Sequence, residues 1–186
     1  ERLKSDTISS LLAMKGKLKY RTFESMARNY HGLQVRFTEN INSEDTVDFI
    51  RALKPDLLVV VGTRKLDRKV FCAAPFGALN LHSGILPFYR GSDSEFWALY
   101  KNEPDKVGIT IHFIDDGLDT GDIIIQERQQ IYPRDTIGSL RIRNLFLGAE
   151  KISEAISRIE SGVNVSSAQD RNFSKTYRTA RPLERK

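Results

Sequence analysis

The chain has 186 residues, and its 29 Lys and Arg outnumber 24 Asp and Glu to give a net charge of +5 and a pI near 9.4. Its length suits one domain with a sizeable core, and 40% hydrophobic with 28% charged residues describe an ordinary globular chain. No apolar run is long enough to span a bilayer, no secretory signal is visible, and the single cysteine, Cys72, excludes a disulfide framework or a multi-cysteine metal site.

These features predict a cytoplasmic protein without membrane association, and Cys72, in an apolar setting, is expected in the core. The basic excess lies near the ends, at Lys15, Lys17, Lys19 and Arg21 and again at Arg171, Lys175, Arg178, Arg181, Arg185 and Lys186. It favours anionic partners such as nucleotides, folates, phosphosugars or RNA, although solvated tails explain it equally simply.

In chain order, residues 1–18 are polar and without sustained periodicity. Residues 20–30 suit a helix with Phe23, Met26 and Ala27 on one face, and 33–37 a short strand. "NSEDTVDFIRALKPD" opens with capping residues and acids and spaces Val47, Ile50 and Leu53 helically. It stops at Lys54-Pro55. "DLLVVVG", residues 56–62, reads as a strand buried on both faces, with Val59 to Val61 inaccessible. "GALNLH" follows as the next parallel strand and "FWALY" as a short helix. "GITIHFI" and "DIIIQE" form a strand pair around the loop "DDGLDTG". Residues 136–160 carry Leu140, Leu145, Ile152, Ile156 and Ile159 on one long amphipathic helix. After Ser161-Gly162 no pattern is readable. Strands alternating with helices indicate a layered α/β domain, whose ligands gather at the carboxyl ends of its strands.

Two polar groups of residues stand out. Asn80 and His82 lie two apart at the end of a strand, so their side chains share a face and can reach one ligand atom. The loop 114–122 holds four carboxylates and two glycines, but its acids do not alternate as a calcium loop requires, so no metal is expected.

Taken in order, Asn-x-His, Leu-Pro-x-Tyr-Arg-Gly, a Trp, Gly-x-Thr-x-His and Asp-x-Gly-x-Asp-x-Gly resemble the folate-dependent formyltransferase family over about residues 54–130. The looser likeness runs to 160. The resemblance implies a Rossmann-like α/β fold, a mostly parallel sheet flanked by helices. Its catalytic domain would occupy 19–162, between the polar segment 1–18 and a basic tail at 163–186. Family members open with an apolar strand, turn and helix that are not legible in "ERLKSDTISSLLAMKGKLKY", so the first strand or strands are expected upstream or divergent.

The resemblance further implies 10-formyltetrahydrofolate as co-substrate and Asn80, His82 and Asp119 as catalytic residues. Arg64, Leu66 and the backbone at Ile114, Asp115 and Asp116 would line the folate pocket, with Arg64 facing the same cleft as Asn80. Tyr89, Arg90 and Gly91 would meet the acceptor. His112 also matches a family histidine, with a strand histidine paired to its neighbour as the plainer reading. The family commonly has Pro-Ser where this chain has Ser83-Gly84.

The chemistry agrees with that trio: an Asn amide can donate to a developing oxyanion, a His can carry the amine proton, and a carboxylate can orient and stabilise the imidazolium. Gly117 and Gly121 are expected to let the loop turn sharply enough to bring Asp119 within reach of His82.

The acceptor expected from Tyr89-Arg90-Gly91 and "SEFWALY" is the primary amine of a small anionic molecule, a nucleotide-linked aminosugar. Methionyl-tRNA is the weaker case because the residues after Gly162 are too few for the additional domain of that branch. Glycinamide ribonucleotide is weaker because no Gly-rich phosphate loop is readable. Hydrolysis of the folate, a non-catalytic folate-binding module and a homo-oligomer remain open.

Overall fold

The computed structural model describes residues 36–162, 166–170, 172 and 175–181. The polar segment 1–18, the helix expected over 20–30 and most of the strand expected over 33–37 lie outside them. Arg36 and Phe37, at the end of that strand, form no regular structure. The chain divides into two compact units, Glu1–Ala78 and Leu79–Lys186.

In the first unit, α1 covers Glu44–Leu53. Ser43 caps it by accepting from the Thr46 amide, and Glu44 and Asp45 sit in the first turn, where the helix dipole favours acids. It ends at Lys54 in left-handed backbone, before Pro55, which cannot continue a helix. Val47 and Ile50 are buried. β1 follows at Leu58–Val61, and its Leu58 amide donates to Gly77 O at 3.0 Å. Burial along β1 falls short of expectation, because Val60 is buried while Val59 and Val61, on the opposite face, are half-buried. A short helix α2, Arg68–Phe71, turns Val70 and Phe71 inward. Cys72 caps its end and is exposed rather than in the core, since the helix stops before it can turn that position inward.

The second unit is built on β2 (Ala78–His82), β4 (Gly108–Phe113) and β5 (Ile123–Arg128). The sheet-and-helix class stands, but β2 against β4 and β4 against β5 are both antiparallel. The reason for the second is the connection, since residues 114–122 are too few for the crossover that parallel neighbours need. The direction of β4 beside β2 has no signature in the sequence.

Between β2 and β4 lie β3 (Arg90–Gly91), α3 (Ser94–Tyr100) and a 3₁₀ turn, Pro104–Lys106. α4, Ile137–Ser161, starts on a reciprocal capping box between Thr136 and Ser139 and stops at Gly162, whose φ of 66° is left-handed. Its buried positions are Leu140, Asn144, Gly148 and Ala155. Leu145 was expected on that face and is instead exposed, with Ile142 and Phe146 beside it. The small residues explain the rotation, because a Cβ on Gly148 would come within 2.3 Å of Leu81 Cδ2. Ile152, Ile156 and Ile159 are half-buried. Among the described residues no helix is long and apolar enough to cross a membrane.

The segment after Gly162 is not patternless in space. Ser167 exchanges backbone hydrogen bonds with Ile123 at 2.8 Å each way, and β6, Thr176–Tyr177, pairs in parallel with β3. Ala180 joins Tyr89, Trp97, Ala98, Val107 and Leu140 in one apolar cluster. Two-residue strands are too short for a period to show in the sequence.

Truncating Leu140, fully buried in that cluster, should cost about 2–5 kcal/mol. Leu145→Ala should change stability by about 0.5 kcal/mol or less. Chemical denaturation of the two variants beside wild type checks the orientation of α4.

Candidate active site

The antiparallel register of β2 and β4 sets Asn80 opposite His112 and His82 opposite Thr110. Residues two apart on a strand share a face, and directly paired residues do too, so Asn80, His82 and His112 project together. The β4/β5 ladder shifts register between Ile111 and His112. Such an irregularity re-aims the side chain beside it.

Asp119 arrives from the β4–β5 loop. The turn there is not made by left-handed glycines, as expected, but by Asp119 itself, at φ 53°. Aspartate tolerates that region better than most side chains, because its short polar group can bond locally. Gly121 serves close approach instead: a Cβ there would lie 1.9 Å from Phe113 O. Asp115 shapes the same loop, its Oδ1 accepting from the Gly117 amide at 3.0 Å and from Thr120 Oγ1 at 2.5 Å.

These elements bring four side chains together. Asn80 Nδ2 donates to Asp119 Oδ1 at 3.3 Å and lies 3.1 Å from His112 Nε2. His112 Nδ1 is 2.7 Å from Phe113 O, which can only accept, so Nδ1 carries a proton and Nε2 of the neutral ring accepts from Asn80. Both amide hydrogens of Asn80 are thereby engaged. On the other side of the carboxylate, Gly91 N donates to Asp119 Oδ2 at 2.8 Å. His82 Nδ1 stands 3.6 Å from that oxygen, and His112 Nε2 the same distance from Oδ1. Both distances are too long for a direct hydrogen bond, and each contact becomes an ion pair only when its ring is protonated.

His82 is anchored at its far nitrogen. Nε2 lies 2.6 Å from Tyr89 O, which again can only accept, so Nε2 holds the proton and Nδ1 is turned toward Asp119. Ser94 Oγ sits 3.2 Å from the same Nε2 and donates to Tyr89 O at 3.1 Å. Gly84 leaves room for it, since a Cβ there would meet Ser94 Cβ at 2.6 Å.

The electrostatics oppose one another across this gap. Burial pushes the His82 imidazolium below its ordinary value, against the pull of Asp119 and the Tyr89 carbonyl. Burial works to raise the Asp119 carboxyl, but His112, the charge of His82 and the Gly91 amide outweigh it and hold it at about 2. A neutral imidazole therefore faces a carboxylate at neutral pH.

The other candidate residues are placed as follows. Arg64, exposed, and Leu66, buried, belong to the first unit. Ile114 and Asp115 are half-buried and Asp116 is exposed on the loop. Tyr89 and Arg90 are buried. The Tyr89 hydroxyl donates to Glu103, and Arg90 Nη2 donates to Gln169 Oε1 at 2.7 Å. Gly91 enters the site through its amide. Ser94, the Tyr89 carbonyl and Gln169 gave no signal in the sequence, because nothing local marks a residue that acts by tertiary approach.

A family model described as formyl transferase matches residues 8–156. The methionyl-tRNA formyltransferase of Anaeromyxobacter dehalogenans is 38% identical over 141 residues, 75% of this chain and 45% of that protein. That of Carboxydothermus hydrogenoformans is 39% identical over 152 residues, 81% of this chain and 46% of that protein. The chain thus spans less than half the length of these curated relatives. Among solved structures, the formyltransferase PseJ from Anoxybacillus kamchatkensis, in complex with UDP-4,6-dideoxy-4-formamido-L-AltNAc and tetrahydrofolate, is similar with a TM-score of 0.65 and 24% identity. The match covers 91% of this chain and 84% of that one. Glycinamide ribonucleotide transformylase 1 from Symbiobacterium toebii gives a TM-score of 0.62 at 25% identity, over 75% and 71% of the two chains.

A pH titration tests the electrostatics. Because the folded His82 binds its proton less readily than the unfolded chain, it withdraws stability as pH falls below about 6.5. Asp119 acts in a lower window, its contribution present above the ordinary carboxylate value and lost as pH falls through about 2. In a histidine NMR titration His82 should protonate below the ordinary imidazole value. Asp119→Asn should move it lower still, because the carboxylate is what holds it up; an upward movement would contradict the arrangement.

Proposed function

Because the chain belongs to the formyl transferase family, we propose that it moves a formyl group from 10-formyltetrahydrofolate to a primary amine, and that the amine is that of methionyl-tRNA. The cluster of Asn80, His82 and Asp119 carries the chemical half of this reading. The attacking amine forms a bond to the formyl carbon while the carbonyl electron pair moves onto oxygen. Asn80 supplies an N–H to that oxygen, giving up its bond to His112 or to Asp119 as it does so. His82 Nδ1 takes the proton that the amine loses and returns one to the folate nitrogen as its bond to carbon breaks. Asp119 stays ionised throughout and stabilises the imidazolium between those events. Arg64, Leu66 and the 114–116 backbone are assigned to the folate by resemblance.

Identity of 38% to methionyl-tRNA formyltransferase over 75% of the chain supports the acceptor. The likeness to PseJ, at 24%, speaks for the fold alone. The nucleotide-aminosugar reading took Arg90, with the basic surface, as the partner of a diphosphate, and the Arg90 side chain is buried and donates to Gln169.

The test is a formyl-transfer assay with the full-length protein, 10-formyltetrahydrofolate, and methionyl-tRNA beside nucleotide-linked aminosugars. Formylation of methionyl-tRNA is expected, and turnover of the sugars alone would replace this acceptor with the other. Asn80→Ala and Asp119→Asn should each lower kcat about 100-fold or more while the protein stays folded. The exposed Asp122 is the control, and Asp122→Asn should leave the rate near that of wild type.

A further inference from the structure

Gln169 is buried, although Ser166, Ser167, Ala168 and Asp170 around it are all exposed. A buried amide needs its donors and acceptor met, and where those bonds go shows what the side chain holds. Its Nε2 donates to Asp119 O at 3.0 Å and to Gly121 O at 2.7 Å. Its Oε1 accepts from Arg90 Nη2 at 2.7 Å. Two of these bonds end on backbone carbonyls and the third on the Arg90 side chain, and together they link the two segments that hold Asp119. One is the loop carrying it, and the other is β3, whose Gly91 amide binds its carboxylate.

We propose that Gln169 is a positioning residue for the reaction, bracing the Asp119 backbone so that the carboxylate faces Asn80 and His82. The left-handed φ of Asp119 is a conformation that a non-glycine residue keeps only when its surroundings impose it. A donor on the carbonyl of that residue, together with a second on Gly121 O, holds the peptide plane that follows Asp119 and the one that follows Gly121. The brace is itself held: Ser167 is bonded to Ile123 in β5 and Thr176–Tyr177 to β3, so the side chain is delivered from an anchored backbone. Arg90 completes the device by orienting the amide, its guanidinium taking Oε1 so that Nε2 must point at the two carbonyls. This role builds on the formyl-transfer reading, since Gln169 would act only through Asp119.

The experiment reads the position of Asp119 without relying on turnover. His82 is held up by the Asp119 carboxylate, so a carboxylate that drifts away lets the His82 titration fall. In the full-length protein, Gln169→Met keeps the size of the side chain and removes both donors. The His82 midpoint should move down in it, as in Asp119→Asn. Gln169→Asn retains the amide with a shorter reach and should fall between Met and wild type, which also serves if the Met variant does not fold. With the acceptor that wild type uses, kcat should drop about 10- to 100-fold and KM for the folate should stay within about 2-fold. A merely structural glutamine would lower the melting temperature and leave the His82 midpoint of the folded protein where it was. That result, in either variant, overturns the proposal. If wild type formylates no amine at all, the reaction assignment fails, and the His82 midpoint still decides the role of Gln169.

Discussion

A carboxylate with little solvent around it has to be met by donors, and this requirement organises the second unit. Asp119, its side chain 10% exposed, takes an amide N–H from β2 through Asn80 and a backbone N–H from β3 through Gly91. His82 and His112 close in from β2 and β4. An uncompensated charge in such a place would cost several kcal/mol. Three strands and a loop are therefore constrained by one side chain. The irregular register at His112, the close pass of Gly121 against Phe113 and the turn of β3 at Gly91 are the local adjustments that let them meet.

How much of this can be read from sequence depends on the range of the cause. Asn80 and His82 are legible because alternation along a strand is local and the apolar run around them marks that strand. α1 is legible for the same kind of reason, its cap, acids and Pro55 all lying within a few residues. Asp119 is legible only through the family pattern, since a loop of four carboxylates does not say which one turns inward. The loop glycines were read as what lets the loop turn sharply, whereas Asp119 itself takes the left-handed conformation and Gly121 is small because Phe113 passes close by. Leu145 misleads in the same way. Hydrophobic spacing places it inward, but Asn144 and Gly148 let the helix sit close, and Leu145 points outward. Gln169 and Ser94 were invisible because the partners that matter are far along the chain, His82 12 residues from Ser94, and Asp119 and Arg90 50 and 79 residues from Gln169.

The site is also without slack. Both hydrogens of the Asn80 amide are spent on protein partners, as are both hydrogens of the Gln169 amide. In the proposed transfer a formyl oxygen would compete for the first pair, and the exchange would be near even because one acceptor replaces another. The second pair has no such competitor, which suits an element whose task is to stay still while the first moves.

The anchoring of His82 has a consequence for timing. With Nε2 fastened to the Tyr89 carbonyl and Ser94 packed beside it, the ring is not free to flip between donors and acceptors. Only Nδ1 is left unfastened, on the Asp119 side, so under the proposed transfer uptake and delivery of a proton would share a single doorway. In that reaction the two events would alternate rather than overlap, the incoming and outgoing nitrogens meeting the same edge of the imidazole in turn. The immobile partner is the histidine, and the motion is left to the substrate.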